Sequence, residues 1–384
     1  MAKAVRAVAL GLLFVLLASG ILVAMPARAE AAEPYEWTIA VFGDADNNLE
    51  GAWDKYTDPA LKGIPASDQI KVVAGLDRFS TLGAEIIEYT YGDSTVVESY
   101  DEMDFGSAAT LKWFVQRVDA LYDSNHLALI VWDHGGGWWG VCWDDTDMSY
   151  MTLPEFSEGI SAAGVYIDVL GFDACMMSGI EVVYDMYLTG LVGMMVASEQ
   201  LVPYDGFPYD LMFSHLATDP YLTKEEVADD MVYGWDMYYG NKGWVDLSAL
   251  DVPILGGVVL NEFITWVGAM NANVAVNLDD YLRAFKKSEM VSGWYIMDID
   301  RFAARILNDR DVTDPALRDA TAALESAIDL GVNAQSGGGK RPLSGMTLWF
   351  GIEGEYLNYG SRYSELAFAS DTGWYSFMTA VNGY

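Results

Sequence analysis

The chain has 384 residues, 52% hydrophobic and 20% charged, a balance that fits a folded globular protein and is too apolar for a disordered one. Its 56 Asp and Glu against 21 Lys and Arg leave a net charge of −35. Such a surface repels nucleic acid and anionic membranes, since phosphate recognition needs basic groups, and attracts cations such as Arg/Lys-rich polypeptides or calcium.

At the N-terminus, Lys3 and Arg6 precede an apolar run from Ala7 to Met25, followed by Pro26, Ala27-Arg28-Ala29 and Glu30. A charged head, an apolar middle and a small-x-small site read as a signal peptide over residues 1–29, and hence as export. At about 19 residues the run is also just long enough to cross a bilayer, so an uncleaved membrane anchor is the second reading. No later segment reads as a membrane span.

Five short apolar runs follow, each ending in polar residues. Trp37–Phe42 leads into Gly43-Asp44-Ala45-Asp46-Asn47-Asn48, and Ile70–Leu76 into Asp77-Arg78. Leu127–Trp132 leads into Asp133-His134-Gly135-Gly136-Gly137, Val165–Phe172 into Asp173-Ala174-Cys175, and Leu191–Ala197 into Ser198-Glu199-Gln200. Continuous apolar runs of this length suit strands buried on both faces, as in parallel sheets. Helical spacing lies between them at Ala108–Leu121, Leu153–Ala163 and Gly179–Tyr187, so residues 35–219 read as an α/β layered domain. Beyond Asp219, Lys224–Tyr239, Pro253–Ala272, Leu278–Lys287, Ile299–Leu307 and Asp314–Leu330 read as helices. Short strands are expected near Val245–Leu247 and Trp294–Met297. Gln335–Arg341 reads as a loop and Pro342–Gly351 as a late strand, making 220–384 a mainly helical subdomain that returns one strand to the sheet.

In α/β sheets ligands bind beyond the carboxyl ends of the strands, where His134 and Cys175 fall. Three glycines after His134 let the backbone approach a ligand closely and offer amides to a developing oxyanion. Cys175, just before a predicted helix, is expected to meet a positive helix end that lowers its pKa. The other cysteine, Cys142, lies among tryptophans and reads as a packed thiol, leaving Cys175 free of any disulfide. The three histidines, His126, His134 and His215, are scattered, which argues against zinc.

A strand-end His-Gly followed by a strand-end Ala-Cys resembles the caspase-like clan of cysteine peptidases, and within it the clostripain family. The resemblance rests on Asp44–Glu50, His134–Trp138, Phe172–Ser178 with Glu181-Val182, Ser198-Glu199 with Gly206–Tyr209, and Asp298–Ala303. It implies a caspase-like, mostly parallel sheet between helical layers, and amide hydrolysis through a thioester. Cys175 would attack the carbonyl, His134 would protonate the leaving amine, and the N–H groups of Gly135 and Cys175 would hold the oxyanion. The family's preference for Arg or Lys before the cleaved bond implies an acidic pocket, for which Asp173, Glu199 and Asp205 are the candidates. The substrates would be proteins or peptides, with no nucleic acid, and with membrane contact only if residues 7–25 remain uncleaved.

The chemistry requires no cofactor. Some family members need calcium, and Asp144, Asp145 and Asp147 offer hard oxygens for it, although without an EF-hand pattern. No Lys or Arg lies between His134 and Cys175, so self-cleavage between them after a basic residue is not expected. Two rival readings face this one. An esterase-type α/β-hydrolase also uses His-Gly-Gly-Gly, but needs a G-x-S-x-G elbow and a histidine after the nucleophile. A catalytically silent caspase-like scaffold that binds peptides at the cell surface would have no need of His134 and Cys175 together.

Overall fold

The computed structural model describes residues 33–383 apart from 82, 241, 243, 292–293 and 338–342; the signal-peptide reading of residues 1–29 lies outside them. Its strands, in chain order, are β1 (Tyr35–Ala45), β2 (Ile70–Arg78), β3 (Glu85–Thr90), β4 (Asp93–Ser99), β5 (Ser124–Trp132), β6 (Val141–Asp144) and β7 (Ser149–Met151). They continue with β8 (Ile167–Asp173), β9 (Val192–Ala197), β10 (Asp246–Asp251), β11 (Glu289–Val291), β12 (Ile296–Asp298), β13 (Val332–Gly337) and β14 (Thr347–Trp349).

Nine of them form one sheet in the order β13-β10-β9-β8-β5-β1-β2-β3-β4. The middle five, β9-β8-β5-β1-β2, are parallel, and antiparallel pairs close both edges. β5 shows why the centre reads as unbroken apolar sequence. Leu127, Leu129 and Val131 enter the core on one face, while Ala128, Ile130 and Trp132 enter a second core on the other. Both faces are covered, so the period-2 alternation of a half-exposed strand is absent. This is the three-layer, mostly parallel caspase-like arrangement.

The crossover helices begin where local chemistry starts them. Ser107 accepts from Ala109 N–H before Ala108–Leu121, and Thr152 with Glu155 forms a capping box before Leu153–Ala163. The region after residue 219 is mainly helical, yet it differs from expectation in its strands. β10 and β13 both join the large sheet. The late strand, β14, instead pairs with β12 in a separate three-stranded sheet and touches the first half through a bridge between Thr347 and Gly179. Residues 335–337, expected as loop, are the end of β13.

One described helical run, Val252–Ala272, is long and apolar enough to cross a membrane by composition, with mean hydropathy 1.5, contrary to the sequence expectation. Its Phe263 and Trp266 pack against Phe302, Phe368 and Trp374, so it serves here as a core helix.

Candidate active site

β5 and β8 are neighbours, with Trp132 opposite Asp173. His134 and Cys175 each sit two residues past that pair, so the register delivers both to the same sheet edge. They line one cavity of about 220 Å³ together with Trp132, Asp173, Val202 and Tyr204. Both side chains are partly buried, and Cys175 and Cys142 are free thiols, Cys142 being fully buried.

Cys175 departs from the sequence expectation in its electrostatics. The next helix starts at Ile180 with Gly179 as its N-cap, so Met176–Ser178 separate the sulfur from the helix end. Burial pushes the thiol above its ordinary value, against the Val202 N–H, which donates to Sγ at 3.3 Å. His134 moves the other way: burial lowers its pKa, opposed by the Asp145 carboxylate. Both shifts favour the uncharged forms, thiol and imidazole, over an ion pair.

The imidazole has an orienting partner that sequence did not disclose. Asn48 Oδ1 lies 2.8 Å from His134 Nε2. An amide oxygen only accepts, so this contact holds the proton on Nε2 and leaves the Nδ1 lone pair free. Asn47 beside it donates to Asp133 Oδ1 at 2.7 Å and to the Trp143 carbonyl at 2.8 Å, fixing the His134 loop to the β6–β7 hairpin. The two asparagines belong to the Asp44–Glu50 block, but no spacing rule links residue 48 to residue 134.

The glycine loop packs on Cys175. A Cβ on Gly135 would stand 2.4 Å from the Cys175 carbonyl oxygen, so only glycine fits. Gly136 N–H donates to the Gly140 carbonyl and Cys142 N–H to that of His134, which leaves Gly135 N–H outside the ladder. Neither Gly135 N–H nor Cys175 N–H donates to an acceptor among the described residues. From below, Thr347 N–H donates to the Ser178 carbonyl at 3.1 Å. Glu181 Oε1 accepts from Trp349 N–H and Tyr363 O–H at 2.9 Å each.

The three pocket candidates part company. Asp173 forms the cavity floor and is 4% exposed, its Oδ2 accepting from Phe207 N–H at 2.9 Å and Tyr209 O–H at 3.0 Å. Glu199 is not in the cleft: it is fully buried, and its Oε1 accepts from Gly345 N–H at 2.7 Å, beside Asp246 and Asp298. Two residues past a strand, its side chain takes the interior side. Asp205 lies between two lining residues, Tyr204 and Gly206, but its carboxylate faces Tyr238.

A second cavity, of about 660 Å³, is also lined by His134 and is walled by Trp138, Trp139, Trp143, Trp294, Trp349 and Tyr359. The calcium candidates also separate. Asp147 groups with Asp104 and Asp144, whereas Asp145 joins no such group and lines the aromatic cavity.

A thiol, an imidazole and unpaired amide donors meet on adjacent tips of a mostly parallel sheet, and that arrangement defines the caspase-like fold class. The chain belongs to the clostripain family, whose model matches residues 41–379. Clostripain from Hathewaya histolytica is 27% identical over 268 residues, 59% of this chain; the chain spans about half the length of that relative, 49%. An inactive zymogen C11 protease from Parabacteroides distasonis superposes with a TM-score of 0.70 at 16% identity, covering 89% of this chain and 99% of that one. A secreted C11 cysteine protease from Bacteroides thetaiotaomicron in complex with an irreversible peptide inhibitor gives 0.67 at 15%, covering 90% and 99%. At those identities the structural likeness is one of fold.

Proposed function

We propose that this chain is an exported cysteine endopeptidase that cleaves after Arg or Lys through Cys175 and His134. The observation that carries the reading is the single cavity shared by the thiol, the imidazole and the buried Asp173 carboxyl. A cationic side chain entering it would pair with Asp173, aligning its carbonyl carbon over Cys175 Sγ.

Because both shifts favour the neutral forms, His134 Nδ1 takes the thiol proton as sulfur attacks. The carbonyl oxygen, now anionic, accepts from Gly135 N–H and Cys175 N–H. Collapse of the tetrahedral adduct breaks the C–N bond, and the imidazolium returns its proton to the leaving amine. Water then hydrolyses the thioester with His134 as base, regenerating the thiol. Asn48 holds the ring so that Nδ1 faces this sequence. The aromatic cavity that His134 also lines suits apolar residues on the far side of the bond. Export rests on residues 1–29 and on the secreted relatives.

The decisive experiment is labelling with a Lys- or Arg-directed acyloxymethyl ketone, mapping of the modified residue, and a fluorogenic basic-amide assay on wild type and Cys175→Ala. Label on Cys175 and a rate loss of about 10³-fold or more in the variant are expected. Equal rates from both proteins would instead favour the silent scaffold. Labelled protein recovered outside the cell and starting near Glu30 supports export, and confinement to the cytoplasm overturns it.

A further inference from the structure

The aromatic cavity of about 660 Å³ falls in the size range of ligand sites, and its place beside His134 limits what it can receive. His134 and Gly135 line it, and Cys175 does not. On the peptidase reading, the smaller cavity lined by Cys175 and Asp173 takes the residue before the bond. His134 hands its proton to the leaving amine, so the residue carrying that amine lies against His134 as it departs. The aromatic cavity is the space on that side.

Its walls come from distant parts of the chain. Trp138 and Trp139 belong to the loop after β5 and Trp143 to β6, whereas Trp294 precedes β12, Ile296 lies in β12 and Trp349 in β14. Trp138, Ile296 and Trp349 are 6%, 4% and 3% exposed and form an apolar floor. Among the described residues no Lys or Arg lines the cavity, and its carboxylates are the exposed Asp145 and the half-buried Glu355. A cation on the floor would lack a paired carboxylate, and an anion would meet two like charges. An aromatic side chain meets ring faces and edges on several sides.

One side chain outside the cavity holds two of these walls. Arg362, in the helix Glu353–Tyr363, lays its guanidinium 3.7 Å from the centre of the Trp139 ring. It also donates to the Trp139 carbonyl at 2.8 Å and to Tyr150 Oη at 2.7 Å. Tyr150 in turn stacks on Trp143, with ring centres 5.2 Å apart and planes 7° from parallel. A planar cation with several fixed donors thus ties the loop after β5 to the β6–β7 hairpin, which Lys cannot do.

We propose that this cavity is the subsite for the residue immediately after the cleaved bond, that it selects a large aromatic side chain there, and that Arg362 positions its walls. The inference rests on the peptidase reading of Cys175 and His134 and extends it to the leaving side of the substrate. The preferred target is then a basic residue followed by Phe, Tyr or Trp.

The test uses full-length protein and internally quenched peptides that share an Arg before the bond and differ only in the next residue: Phe, Leu, Ala, Asp or Lys. kcat/KM is expected to be about tenfold higher for Phe than for Ala, with Asp lowest. Trp294 is 49% exposed, so Trp294→Ala leaves the core packed and should cut the Phe-to-Ala ratio about threefold or more. Arg362→Ala should cut it similarly, and Arg362→Lys should not restore it. The ratio is read on one preparation, so a smaller folded fraction in a variant does not move it. If Arg362→Ala fails to fold, Arg362→Lys and Trp294→Ala still decide. A second arm needs no turnover: Phe-Ala-amide and Ala-Ala-amide are titrated into Cys175→Ala and followed by tryptophan emission. The Phe compound should bind about tenfold tighter. Peptides cut equally well whatever follows Arg, or best with Lys there, overturn the subsite and leave the peptidase reading standing. If no peptide is cut, that reading fails and the titration decides the cavity: equal affinities overturn it, and tighter binding of the Phe compound supports it. A Phe-to-Ala ratio unchanged in both Arg362 variants overturns the role of Arg362.

Discussion

Burial pushes the Asp173 carboxyl up to about 7, against the pull of Phe207 N–H and Tyr209 O–H. Near neutral pH that carboxyl is thus only partly ionised, and the cationic side chain of the proposed substrate would draw its proton off. Raising the pH from about 6 to about 8 ionises the carboxyl in advance, so KM for a Lys- or Arg-amide should fall across that window. Asp173→Asn should cost about 100-fold in kcat/KM on basic substrates, roughly 3 kcal/mol, and should flatten the KM–pH curve. A retained preference for basic residues in that variant would remove Asp173 from the pocket. The place of Asp173 beside the Cys175 cavity was legible because it stands two residues before that cysteine on the same strand end. Glu199 misled for a related reason: position past a strand gives the edge of the sheet but not the side a carboxylate takes. Asn48 left no signal at all, since its meeting with His134 exists only after β1 and β5 pair.

Among elements, the loop from Gly135 to Gly140 carries the most constraint. With the Cys175 carbonyl 2.4 Å from any Cβ at position 135, Gly135→Ala must push the loop off Cys175 and, on the proposed mechanism, misplace an oxyanion donor. A kcat loss of about 100-fold, with a melting temperature within a few degrees of wild type, is the expected result. Near-normal kcat would show that Gly135 N–H plays no part. Central strands were legible from residues such as Leu127–Trp132, whose both-faced burial leaves no polar interruption. Edge strands were not: Asp93–Ser99 and Val332–Gly337 are polar, partly exposed and held by neighbours rather than by a pattern of their own.

For the molecule as a whole, acidity extends inward. Burial raises Glu181, Asp185 and Asp246 to about 7, along with Asp173. The unfolded chain releases those protons near 4, while the native state keeps them until about 7. Their contribution to stability is therefore present below about pH 4 and is lost as pH rises through about 7. In chelator at fixed ionic strength, the melting temperature should drop between pH 5 and pH 8. Added salt should recover part of the loss by screening the net charge of −35. A melting point that climbs over that interval would contradict the buried protonated carboxyls. The same long-range construction also sets an order of events during synthesis. The ribosome releases His134 and Cys175 early, but the bonds that prop up Ser178 and Glu181 come from Thr347, Trp349 and Tyr363, the last two 168 and 182 residues beyond Glu181. A chain made only as far as Cys175 thus carries its thiol and imidazole on a loop whose props have yet to be synthesised.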